Sequence, residues 1–250
     1  MINHSEASIN IGTSGWNYKH WYGVFYPDKL KQRELLEFYA NHFNTVEINS
    51  SFYRLPTPET FGNWADKVPK NFLFSVKANR YITHLKRLIN VKEALTNFLK
   101  SVEKLGKKLG VILFQLPPSF KYDLERLEGF FKLLPVNFRY AVEFRNKKWF
   151  NEEVYDLLVK HGIIFCIFHF YPILAPDVIT ANTVYLRFHG STGPYRGKYD
   201  SGFLRIIAGK IVEWNSQGKE VFCYFDNDEK GYAVINAMEL KKIVSEMLKN

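Results

Sequence analysis

A (β/α)8 TIM barrel is the fold this sequence predicts, and three observations carry it. Short β-rich runs recur eight times along 250 residues, and segments with helical spacing lie between most of them. Polar and apolar residues alternate inside those runs in one consistent phase. After the first run stands Gly12-Thr-Ser-Gly15-Trp16, not the GxGxxG expected of a dinucleotide-binding open sheet.

The runs fall near residues 10–14, 45–51, 72–79, 110–116, 140–145, 163–169, 183–189 and 220–226. Between them, Leu35, Leu36, Tyr39 and Phe43 recur three to four apart, as do Leu95, Phe98, Leu99 and Val102. Leu124, Leu127, Phe130, Phe131 and Leu134 follow the same rule, as do Val154, Leu157 and Leu158. The segment from Ile235 to Leu248 reads as an amphipathic helix. Gly106 and Gly162 stand where helix-ending glycines are expected. Only Phe170 to Asn182 separates the sixth and seventh runs, with Pro172 and Pro176 inside, so that crossover should be short and irregular. A tail over residues 1–8 and a single domain over residues 9–250 follow.

With 46% hydrophobic and 24% charged residues the chain is globular, which excludes disorder as its main description. Lysine and arginine outnumber aspartate and glutamate 34 to 25, and the resulting +9 favours anionic partners. The cysteines, Cys166 and Cys223, are too few for a disulfide framework or a CxxC metal knuckle, so a reducing compartment is expected. Residues 1–7 lack the basic start and apolar stretch of a signal peptide. The most apolar stretch, Gly162 to Ala175, contains His169 and Pro172 and is too short to span a bilayer. The expectation is a soluble cytoplasmic protein with no membrane partner; the sequence does not specify its oligomeric state.

Strand phase locates a site. Val46 and Ile48 oppose Glu47, Asn49 and Ser51; Phe74, Val76 and Ala78 oppose Ser75, Lys77 and Asn79. Val142 and Phe144 oppose Glu143 and Arg145; Val184, Leu186 and Phe188 oppose Tyr185, Arg187 and His189; Val221, Cys223 and Phe225 oppose Phe222, Tyr224 and Asp226. Helices must cover the apolar set, so the polar set faces the barrel axis, joined by Gln115 and His169. Replacing buried ion pairs by apolar residues is often neutral or stabilising, so a network of this size points to a site rather than to filling. Glu47, Glu143, His169, His189 and Asp226 have the chemistry of divalent-metal ligands, but the inward cations Lys77, Arg145 and Arg187 compete for the same carboxylates. Neither a metal nor a cofactor is expected.

The loops add to this picture. Trp16, Tyr18, Trp21, Tyr22, Phe25 and Tyr26 crowd the first crossover without helical or strand period, fit either to stack a ring or to plug the barrel mouth. The stretch Asn79 to Arg87 is basic and aromatic. The stretch Gly190 to Tyr199, with Arg196 inside it, resembles a phosphate cradle of free amides, hydroxyls and cations. An inward lysine forms imines when desolvated, but Glu47 and Glu143 close by predict a charged ammonium at Lys77.

The motifs GTSGW (Gly12–Trp16), VEINSSFYRLP (Val46–Pro56), FSVKANRYITH (Phe74–His84), LGVILFQLPPSF (Leu109–Phe120), AVEFR (Ala141–Arg145), YLRFHG (Tyr185–Gly190) and YFDND (Tyr224–Asp228) run in order along the chain. Together they resemble the YecE-like proteins, the domain-of-unknown-function 72 family, over almost the whole length. The resemblance implies a TIM barrel in the cytosol, without an established activity. Its recurrent polar positions correspond here to Glu47, Asn49, Ser50, Tyr53, Lys77, Gln115, Glu143, Arg145, Arg187 and His189. Two positions depart: Asn146 stands where the family often has His, and Asp226 where it often has Asn.

Three functions compete. An enzyme or ligand-processing barrel for a small anionic molecule, phosphorylated ones included, would clamp the anion with Arg145 and Arg187. Glu47 or Glu143 would serve as general base, His189 as acid or electrophile, and Lys77 as a further catalytic group. Asn49, Ser51, Tyr53, Asn79 and Gln115 would line that pocket, with Tyr224, Asp226, Trp16 and Arg196. A nucleic-acid-binding or repair protein resembling metal-dependent barrel nucleases would use the +9 charge, the aromatic segment and the basic third loop. A non-catalytic metabolite-binding module would use the same pocket without turnover.

Overall fold

Apolar residues two apart give most of these runs one face suited to helix packing and leave the other face for the axis. The chain, described over residues 7–249 in a computed structural model, accordingly curls parallel strands into a nearly closed barrel. In chain order they are β1 (Ile9–Thr13), β2 (Thr45–Ile48), β3 (Leu73–Lys77), β4 (Leu109–Leu116), β5 (Arg139–Phe144) and β6 (Ile164–Phe170). After a two-residue strand β7 (Ile173–Leu174) come β8 (Thr183–Phe188) and β9 (Glu220–Phe225). Neighbours run β1-β9-β8-β6-β5-β4-β3-β2, all parallel, with β7 antiparallel on β6. Of the tail expected over residues 1–8, residues 1–6 lie outside the described residues.

Helices α1 (Leu35–Ala40), α2 (Ser50–Tyr53), α3 (Pro58–Asp66), α4 (Lys92–Val102), α5 (Leu124–Phe131), α6 (Glu152–His161), α7 (Ser201–Ser216) and α8 (Tyr232–Met247) occupy the connections. Helices α3 and α7 go beyond the segments that spacing singles out. In α7 an exposed Ile206 blurs the contrast between faces, and α3 is a short helix opened by Pro58 and capped by Thr57. Gly162 caps α6 in the left-handed conformation as expected, whereas Gly106 lies inside the 3-10 segment beyond α4. The crossover from β6 to β8 has no helix. Thr180 anchors it instead, accepting from Phe165 N at 2.8 Å and donating to Ile163 O at 2.7 Å. Among the described residues no helix is long and apolar enough to cross a membrane.

The barrel closes between β1 and β2 by a single bridge, Ser14 with Glu47, and Gly15 N donates to Glu47 O at 2.8 Å. Tyr39 stitches the seam from below, its hydroxyl accepting from Thr13 N at 3.0 Å and lying 3.1 Å from Thr45 O. Gly12 is required there because a Cβ would stand 2.3 Å from Thr45 O. Gly12→Ala should therefore lower stability by about 1–3 kcal/mol in urea titration, as overpacking does. Gly129→Ala, on the open face of α5 with nothing within 4 Å of the added carbon, should be neutral or stabilising by up to about 1 kcal/mol. Equal effects at both positions would contradict the tight seam.

Candidate active site

The inward residues meet, as strand phase requires, around Arg187. Its guanidinium donates to Glu47 Oε1 at 2.6 Å, to Glu143 Oε2 at 2.7 Å and to Asp226 Oδ2 at 3.4 Å. Only its Nε lacks a partner. Glu47 also accepts from Ser14 Oγ at 2.6 Å and Tyr185 OH at 2.7 Å. Arg145 Nε donates to Glu143 Oε1, and Cys166 Sγ lies 3.7 Å from Glu143 Oε2. Arg187, Glu47 and Glu143 are all 0% exposed.

His189 joins this layer to the one above. Its Nε2 faces Arg145 Nη2 at 3.0 Å and Arg187 Nη1 at 3.2 Å. A guanidinium only donates, so Nε2 accepts and Nδ1 donates to Asp226 Oδ2 at 3.0 Å. Burial pushes Glu143 toward protonation, but Arg145 and Arg187 overcome it and hold its carboxyl well below the usual range. Burial likewise raises Asp226, and its hydrogen bond with His189 and the charge of Arg187 bring it below its ordinary value. Below this layer Tyr224 OH bonds to Ser75 Oγ at 2.9 Å and Thr45 Oγ1 at 2.6 Å.

Above it opens a cleft of about 870 Å³ at the C-terminal ends of the strands. Lys77 and Asp226 line it together with Asn49 and Ser50 at the start of α2. Trp16, Tyr18, Tyr53, Trp64 and Tyr195 supply aromatic wall, and Arg196, His20, Asp228 and Glu229 supply charged or titratable groups. Trp16 meets Trp64 edge-on at 5.1 Å. Asp228 accepts from Trp21 Nε1 at 2.8 Å and pairs with His20 Nε2 at 2.9 Å. Burial pushes its carboxyl up to about 6 despite those two bonds.

Lys77 closes β3 and is 6% exposed. The turn of α2 puts the Phe52 ring under its Nζ, 4.3 Å from the ring centre, and Ser51 Oγ fixes its backbone by donating to Lys77 O at 2.6 Å. Among the described residues no carboxylate lies within 4.0 Å of its Nζ. Burial, then the charge of Arg187, lowers its pKa to about 8, against the pull of Asp226, Glu143 and Glu47. At pH 7 an amine of that pKa is still mostly the expected ammonium, but Glu47 and Glu143 do not hold it, because Arg187 has taken both carboxylates.

Of the residues expected to serve the ligand, Trp16, Asn49, Tyr53, Lys77, Arg196 and Asp226 line the cleft. Glu47, Glu143, Arg187 and His189 form the sealed layer beneath, so the anion-clamp geometry expected of Arg187 is not what the barrel holds. Arg145 belongs to that layer too, stacked 4.1 Å from the centre of the Phe170 ring. Tyr224 lies deeper still. Ser51 and Asn79 are not strand residues, since β2 ends at Ile48 and β3 at Lys77. Asn79 Nδ2 donates to Ser51 O at 3.0 Å, which ties the two turns together. Gln115 is buried beside Glu143 in register and does not line the cleft.

His169 is a phase error. Cys166, Phe168 and Phe170 point to the axis, while the His169 ring packs outward against Tyr199 and Phe203 of the α7 side. It therefore stands apart from Glu47, Glu143 and Asp226 as a metal ligand. Among the described residues no three of His, Cys, Asp or Glu gather in a manner fit to hold a metal ion. The phosphate cradle is also corrected. Gly190 N donates to Tyr199 OH, Thr192 N to Arg196 O, Arg196 N to Gly193 O and Gly197 N to Glu229 Oε2, so these four amides are spent on the loop itself and its neighbours. The crowded first crossover divides: Trp21 and Tyr26 are core, while Trp16 and Tyr18 line the cleft. Sequence reasoning missed Trp64, on the unforeseen α3, and the pairing of Asp228 with His20.

Fold and site together define a (β/α)8 barrel protein with a small-molecule-sized cleft at the strand C-termini and a charge-paired layer beneath. The chain belongs to the DUF72 family: residues 10–250 match the profile described as "Protein of unknown function DUF72". It is 27% identical to UPF0759 protein YunF of Bacillus subtilis (strain 168), over 94% of this chain and 94% of that protein. It is 31% identical to UPF0759 protein YecE of Escherichia coli (strain K12), over 62% of this chain and 55% of that one. A crystal structure of a DUF72 family protein from Thermotoga maritima superposes with TM-score 0.87 at 33% identity, covering 97% of this chain and 100% of that chain. One from Enterococcus faecalis shares the fold, with TM-score 0.80 at 22% identity over 95% of each chain.

Removing Arg187 leaves Glu47 without a cation and Glu143 with Arg145 alone. Arg187→Met should cost about 3–5 kcal/mol at pH 7, and Glu47→Gln in that background should restore at least about 1 kcal/mol. Because the folded pKa of Glu143 is depressed, its contribution is present above the ordinary value of 4.5 and lost as pH falls. The gap between wild type and variant should therefore narrow in acid. A urea midpoint unmoved by Arg187→Met would contradict the central pairing.

Proposed function

We propose that the cleft binds a small, ring-bearing anionic molecule, phosphorylated ones included, and that the barrel acts on it there. One observation carries this reading: the carboxylates of the cleft have partners within the protein, whereas its lysine and arginine do not. Asp226 is held by His189 and Arg187, Asp228 by His20 and Trp21, and Glu229 accepts from Gly197 N. Lys77 and Arg196 have no carboxylate within 4.0 Å among the described residues. Aromatic rings line the space around them. Asn49 Oδ1, also at the cleft, is a buried acceptor without a donor.

A second reading rests on Arg80, Lys86 and Arg87, exposed in the third loop beside Tyr81, which is 43% exposed. These groups suit phosphate contact and base stacking.

A thermal-shift screen of phosphorylated and carboxylated metabolites, followed by product analysis, tests the first reading. Lys77→Met and Arg196→Ala should each weaken the best ligand about tenfold or more, the worth of a charged hydrogen bond. Retained affinity in both variants would overturn it. Salt-sensitive DNA binding lost on Arg80→Ala and Arg87→Ala, and kept in Lys77→Met, would favour the second.

A further inference from the structure

Lys77 differs from Lys108, whose half-buried ammonium donates to Val68 O at 2.7 Å. Among the described residues the Nζ of Lys77 has the Phe52 face, at 4.3 Å, and the cleft beside it, with no carboxylate within 4.0 Å. An apolar ring on one side and a ligand-sized space on the other are the surroundings of a nucleophilic amine, not of a structural ion pair. Its backbone is fixed by Ser51, whose own carbonyl is held by Asn79, so the amine is presented from a rigid strand end.

We infer that Lys77 forms an imine with an aldehyde or ketone that carries an anionic group and is bound in this cleft. The inference rests on the ligand reading above and adds a covalent step to it. The neutral amine attacks the carbonyl carbon, forming the C–N bond, and proton transfer gives a carbinolamine. The C–O bond then breaks as the hydroxyl takes up a proton from a cleft acid and departs as water. The iminium nitrogen gives its remaining proton back to that acid, so in net the water carries the two amine protons and no oxidant or reductant is consumed. Burial and the nearby guanidinium of Arg187 lower the amine's pKa to about 8, which keeps a useful fraction unprotonated near neutrality. Asp228, its carboxyl held up to about 6, is a cleft group able to hand a proton to the departing hydroxyl.

Pyridoxal 5′-phosphate is a suitable probe because it joins a ring, a phosphate and an aldehyde. The intact protein is incubated with it at one equivalent, reduced with sodium cyanoborohydride, and mapped by peptide mass spectrometry. Lys77 should carry the adduct in at least about tenfold excess over any other lysine, since ordinary lysines near 10.4 stay protonated. Capture should rise through about pH 8, not near 10.5. Lys77→Arg should fold with an unchanged melting temperature and lose the dominant adduct. Pyridoxine 5′-phosphate, which lacks the carbonyl, separates the two claims. If it stabilises the protein while Lys77 stays unlabelled, the imine is wrong and the ligand site stands. If it gives no stabilisation and adducts scatter over exposed lysines, both are wrong.

Discussion

Arg187 is the group on which the barrel's charge distribution depends. Three carboxylates, Glu47 of β2, Glu143 of β5 and Asp226 just beyond β9, converge on one buried guanidinium. Neither side of that pairing is tolerable alone at full burial. A planar fork with several donors satisfies them together, which a lysine at the same place could not. The strands carrying these residues are thereby held in register across the barrel axis as well as through their backbone ladders.

This pairing has a consequence one layer up. Because Arg187 and Arg145 absorb the negative charge of Glu47 and Glu143, Lys77 is left without a close carboxylate. The positive field of Arg187 then adds to burial in disfavouring its charged form. A sealed ionic layer thus tunes an accessible amine above it. The aromatic residues around the cleft complete a site that has shape and uncompensated positive charge together. The proposed ligand binding rests on that combination.

Much of this was legible in the sequence because alternation is a strong signal wherever polar residues mark one face. Glu47, Lys77, Glu143, Arg145, Arg187 and His189 all fall inward as their phase dictates. In β6 the rule lost its marker. Ile164 to Phe168 are apolar or sulfur-bearing on both faces, so the lone His169 was read as inward when it packs outward. Phase says which way a side chain points but not how deep it sits. Hence residues of the buried layer and residues of the cleft could not be told apart, and the anion clamp was assigned to an arginine with no access to solvent. Loop composition misled in a similar way. The glycines of the stretch from Gly190 to Gly197 serve a tight self-bonded turn, and at Gly190 a Cβ would stand 2.3 Å from Gly193 O. Trp64 and the His20–Asp228 pair come from segments distant in sequence, and nothing local announces that they meet.

The central claim is that Lys77 is an amine left uncompensated above an ionic layer closed on itself. Nuclear magnetic resonance of isotopically labelled lysine side chains, assigned with Lys77→Arg, reads its titration directly. The Lys77 resonance should move with a midpoint near pH 8. A midpoint at the ordinary lysine value, about 10.4 or above, would mean that a carboxylate neutralises it after all.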